Sequence, residues 1–69
     1  MKTIDTIYGK VKAEIMGKRY VTFGGYERKI NVYKDEAGRM FGRIACAMRE
    51  IHYAGGVYLA ADDTGKWFG

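Results

Sequence analysis

His52 and Cys46 are the only histidine and the only cysteine in this 69-residue chain, and it contains no serine. Covalent catalysis needs a nucleophile beside a base that a third group orients, and these residues make no such set. Cys46 stands among Ile44, Ala45 and Ala47, which reads as a small buried hydrophobe. His52 reads as a surface or boundary residue. The threonines Thr3, Thr6, Thr22 and Thr64 sit in no recognisable motif. Asp62-Asp63 is the best pair of carboxylates, but adjacent turn residues point apart and the acid spacing of a calcium loop is missing. Gly24-Gly25 and Gly55-Gly56 lack the spacing of phosphate-cradling loops. One cysteine and one histidine cannot complete a structural zinc site. The expectation is a non-catalytic chain with no metal ligands and no cofactor.

What remains is binding. The net charge is +4 and it is uneven. Residues 1–34 hold eight basic groups against three acids, whereas residues 35–69 hold four against five. A basic half in so short a chain favours an anionic partner. Apolar residues make up 48% and charged residues 29%, the balance of a folded domain. We read residues 1–69 as a single domain. A chain of this length buries only about 60% of its unfolded surface, so good packing, a homodimer or another partner must supplement a small core. No apolar run follows Met1-Lys2, and the lone thiol fits a reducing compartment, so the expected location is cytoplasmic, with no membrane partner.

The elements that position a binding surface follow from periodicity. Ile7, Val11, Ala13 and Ile15 alternate with Tyr8, Lys10, Lys12 and Glu14, the period of a half-buried strand. Gly17-Lys18 suits a hairpin, then a second strand runs from Arg19 to Phe23. Gly24-Gly25 starts another hairpin into Tyr26–Tyr33. A two-residue loop at Gly24-Gly25 pairs Phe23 with Tyr26 and Val21 with Arg28, which keeps the apolar sets on one side. A strict two-residue loop at Gly17-Lys18 does not, because a one-residue slip swaps faces. A bulge or longer loop near Gly17 is therefore expected.

Residues 34–56 admit two readings. As a helix, Met40, Ile44, Ala47, Met48 and Ile51 form one apolar stripe, with Asp35 as cap and Gly55 as stop. As strands, Asp35-Glu36-Ala37-Gly38-Arg39 is a hairpin turn that recurs as Asp62-Asp63-Thr64-Gly65-Lys66. The helix is preferred within residues 39–54, starting after Phe41 rather than at Asp35, although Gly38 and Gly42 each cost about 1 kcal/mol inside a helix over the longer segment. A last hairpin joins Val57–Ala61 to Lys66–Phe68. The expected fold is α+β: an antiparallel sheet of four to five strands with one helix packed on one face, in the order β-β-β-α-β-β. The alternative is an all-β small barrel. The expected core is Ile7, Val11, Ile15, Val21, Phe23, Ile30, Val32, Ile44, Met48, Ile51 and Leu59.

A helix on one side leaves the other side of the sheet open. Alternation places Tyr8, Lys10, Lys12, Tyr20, Lys29 and Tyr33 there. Tyrosine rings stack on bases and lysines neutralise phosphate; the same residues anchor protein interfaces. Gly42-Arg43-Ile44, Ala47-Met48 and Glu50-Ile51 resemble a helix in small phage anti-CRISPR proteins that block type I surveillance complexes. The resemblance covers ten residues and transfers no site residue. It implies a phage or mobile-element inhibitor whose partner is a host protein or nucleoprotein complex, occluded by surface binding. The other reading is a small nucleic-acid-binding module that uses the same face.

Overall fold

The computed structural model describes residues 1–61, which form six strands and no helix. These are β1 (Lys2–Thr6), β2 (Gly9–Phe23), β3 (Tyr26–Asp35), β4 (Met40–Ile44), β5 (Ala47–Ala54) and β6 (Val57–Ala60). Each strand pairs antiparallel with the next in sequence. A short parallel ladder, Val21 with Tyr58 and Thr22 with Leu59, joins β2 to β6. That ladder closes β2 to β6 into a five-stranded barrel, with β1 as an additional strand on β2. The architecture is therefore all-β, and the expected α+β sheet with a helix over residues 39–54 is corrected to the small-barrel alternative. The tail beyond Ala61, including the second carboxylate turn and the last hairpin's return strand, lies outside the described residues.

Residues 39–54 form a β-hairpin for two reasons. Ala45 and Cys46 make its two-residue turn with φ of 54° and 62°, a left-handed pair that suits the twist of a tight hairpin. Both faces of the hairpin are also covered. Met40, Ile44 and Ile51 point into the barrel, while Phe41 and Met48 point outward beneath β1. Apolar residues on both faces of two strands yield the same list as a helical stripe. The segment that carries the likeness to a phage-inhibitor helix is this hairpin. Cys46 is exposed at its turn, not buried. Gly55-Gly56, expected to stop a helix, is instead the tight turn into β6, with φ of 60° and 82°.

The 15-residue β2 serves two layers. Its start, Gly9–Ala13, pairs with β1, Ala13–Phe23 pairs with β3, and Val21 and Thr22 pair with β6. Between Ile15, opposite Tyr33, and Gly17, opposite Val32, one residue is surplus. The register shift expected near Gly17 is thus a bulge inside a continuous strand, not a hairpin. Before it, Val11 and Ala13 join Ile4, Phe41, Tyr33 and Met48 in an outer cluster. After it, Val21 joins Val32, Ile44, Ile51 and Ala60 in the barrel. Of the expected core, Ile7 and Ile15 stand 65% and 57% exposed. The Gly24-Gly25 hairpin has the expected pairs, Phe23 with Tyr26 and Val21 with Arg28.

Two side chains finish the scaffold. Buried Arg49 donates from Nε to the Ile44 carbonyl (3.1 Å) and from Nη1 to the Ala61 carbonyl (3.3 Å), with its guanidinium 4.2 Å from the Phe23 ring centroid. Asp35 organises the β3–β4 turn. Its carboxylate accepts the Arg39 backbone N–H and Nε, each at 2.8 Å. Burial pushes the Asp35 carboxyl up, but the Arg39 hydrogen bonds and charge prevail and hold it below the ordinary carboxylate value.

Gly42 is buried where β3 and β4 meet, and a Cβ there would lie 2.7 Å from Ile30 Cδ1 and 3.3 Å from the Asn31 carbonyl oxygen. Gly42→Ala is expected to destabilise the barrel by about 1–3 kcal/mol through overpacking. Ile30→Val, which removes the clashing methyl, should return part of that loss in urea unfolding; no recovery would contradict the assigned contact. Replacing Ala45-Cys46 by Asn-Gly, which tolerates positive φ, should stabilise the protein by about 1 kcal/mol. A lower unfolding midpoint for that variant would count against the turn described.

Candidate nucleic-acid interface

The bulge in β2 sorts the six tyrosine and lysine positions onto different surfaces. Successive strand residues alternate faces, so Lys29, Asn31 and Tyr33 share the outer face of β3. Tyr20 is opposite Lys29 on β2, and Lys18 is opposite Asn31. The Lys29 ammonium lies 5.6 Å from the Tyr20 ring centroid, and the Lys2 ammonium lies 5.6 Å from that of Tyr33. Tyr20, Lys29 and Tyr33 thus form one surface. Lys10 and Lys12 precede the bulge and face the other way; on β1 they are opposite Asp5 and Thr3.

Tyr8 belongs to neither surface. It sits in the β1–β2 turn, where its N–H donates to Thr6 Oγ1 at 3.0 Å. Its hydroxyl donates to Glu50 Oε1 at 2.7 Å, and its ring meets Phe41 edge-on at 6.1 Å. The Arg39 guanidinium stacks 4.1 Å from the Tyr8 ring centroid. Tyr8 therefore fastens the turn to β4 and β5. The hydrogen bond to Glu50 holds the phenol protonated and raises its pKa. Burial and the Glu50 charge add to this, and Arg39 opposes it. Half-buried His52 neighbours this group, with Nε2 3.8 Å from Glu50 Oε1. Among the described residues no three His, Cys, Asp or Glu side chains come together as metal ligands.

A groove of about 470 Å³ runs between β1 and the outer face of the barrel. One wall is Lys2–Asp5 of β1; the other is Lys18, Lys29, Asn31 and Tyr33, with Arg43 and Met48 beyond. Its origin is a divergence of strands. The β3–β4 ladder covers only Val32–Lys34 against Met40–Gly42. Lys29 and Asn31 pair with β2 alone, and Arg43 pairs with β5 alone. Four cations, Lys2, Lys18, Lys29 and Arg43, surround the groove against one carboxylate, Asp5. Among the described residues none of the four makes an ion pair. Like charges gathered round a concave surface raise the local concentration of anions.

Lys2, Lys18 and Arg43 were not among the site residues expected from the sequence. Lys18 is hidden by assigning Gly17-Lys18 to a turn. Arg43 is hidden by the helix reading. Lys2 is hidden because β1 is not marked by alternation. Once β2 is read as one bulged strand, cross-strand pairing identifies Lys18 as the partner of Asn31.

Replacing Glu50 by Gln should lower the apparent pKa of one tyrosine in an ultraviolet pH titration, since the strongest acceptor of the Tyr8 hydroxyl loses its charge. An unchanged titration would show that Tyr8 is not held as described. Comparison with protein-family models, with curated proteins and with solved structures finds no match, so the functional reading rests on the geometry of the groove.

Proposed function

We propose that this protein is a small nucleic-acid-binding module that holds a phosphate backbone in the groove between β1 and the outer face of β2, β3 and β4. The observation that carries the reading is the set Lys2, Lys18, Lys29 and Arg43 around one concave surface, unpaired with acids among the described residues, with the Tyr33 ring in its wall. Lysine and arginine neutralise phosphates and release counterions. Aromatic rings beside them supply sequence-tolerant contact to bases. The groove also lies within the roughly 300–1,000 Å³ range of ligand sites. Tyr20 and Lys29 extend the surface along the barrel, and Lys10 and Lys12 stand on the other face, apart from the path.

Fluorescence anisotropy with labelled oligonucleotides tests the reading. Affinity should fall steeply with salt, by about 0.7–0.9 in log–log slope for each phosphate contact. Lys18→Ala and Lys29→Ala should each weaken binding and flatten that slope by about one contact. Lys10→Ala should leave the slope in place. If no oligonucleotide binds even at low salt, the reading is wrong, and the surface reverts to a host protein partner of the inhibitor class.

A further inference from the structure

The groove does not end at Tyr33. A second hollow, of about 550 Å³, opens on the far side of that ring. Lys2 and Tyr33 line both, so the two hollows adjoin at these residues. The chemistry changes across the ring. On one side stand Lys18, Lys29 and Arg43; on the other stand Met1, Ala13 and Ile15, with Glu14. Met1 and Ile15 are 72% and 57% exposed, so this end offers apolar surface to whatever enters.

We infer that the groove is built for single-stranded nucleic acid: phosphates lie along Lys18, Lys29 and Arg43, and one unpaired base lies against Tyr33 in the hollow of Met1 and Ile15. This rests on the nucleic-acid reading above and narrows it. The crowding of cations at one end and of exposed apolar side chains at the other sets which part of the ligand goes where. The cationic half attracts phosphate. The other half, with Lys2 at its edge, exposes the apolar Met1 and Ile15 side chains, which accept a flat, weakly polar ring. In a duplex the base faces are stacked and covered, so only an unpaired base presents a face to Tyr33. Lys2, whose ammonium lies above the Tyr33 ring, stands at the boundary where backbone gives way to base. From Lys29 to Tyr33 the strand advances about 13 Å, the reach of a short run of nucleotides.

Anisotropy titrations of the full chain with oligothymidine, oligouridine and a duplex of equal length, all at one salt concentration, test this. A single strand should bind more tightly than the duplex. Tyr33→Leu should reduce the preference for single strand about tenfold, the loss of one stacked base, with Tyr33→Phe retaining it. Because Tyr33 also packs on the outer cluster, Ile15→Ala serves as a second variant at an exposed position and should reduce the preference in the same direction. A duplex that binds as tightly as the single strands would overturn the inference and leave the phosphate-binding groove intact. So would a preference that survives both Tyr33→Leu and Ile15→Ala. Absence of binding by all three ligands would overturn both.

Discussion

A β-strand that passes through one sheet normally keeps every second side chain on one face, and a strand of fifteen residues would commit all its odd positions to a single core. β2 escapes this because Met16 is inserted between Ile15 and Gly17, with no residue opposite it on β3. The inserted residue exchanges the faces. Val11 and Ala13 can then pack outward with Ile4 and Phe41, while Val21 packs inward with Val32 and Ile51. Without that exchange β1 would have no apolar partner on the outside of the barrel, and the wall it raises opposite Tyr33 and Arg43 would be absent. The two clusters, the position of β1 and the groove all depend on one surplus residue.

The same residue explains what could be read from the chain alone. Its presence was deducible, because a strict Gly17-Lys18 loop puts the apolar sets on opposite sides. Its setting was not, since Gly followed by Lys is as good a hairpin signal as a bulge signal. The Gly24-Gly25 register was legible because the turn chemistry and the alternation agree. Tyr20, Lys29 and Tyr33 were legible as one face for the same reason. Simple alternation places Lys10 and Lys12 on that face too, and the bulge between Ile15 and Gly17 puts them on the other.

Residues 39–54 misled for a different reason. A two-residue hairpin turn is usually announced by Asn-Gly or Gly-Gly, and here it is made by Ala45-Cys46 with positive φ. Both faces of the strands it joins carry apolar side chains, so period two is lost and Met40, Ile44, Ala47, Met48 and Ile51 mimic a helical stripe. Gly42 was the contrary sign. Glycine disfavours a helix there, and its role is to let β4 approach Ile30 and Asn31.

The barrel is closed by two paired positions, Val21 with Tyr58 and Thr22 with Leu59. Among the described residues every other ladder joins strands adjacent in sequence and can form as a local hairpin. The closing ladder must bring together residues thirty-seven positions apart, so its loop entropy is the largest in the fold. That ladder is the seam of the barrel, and its long loop makes it the hardest to close. Among the described residues that seam is also the shortest ladder, and hydrogen exchange at Val21, Thr22, Tyr58 and Leu59 would report its opening ahead of global unfolding.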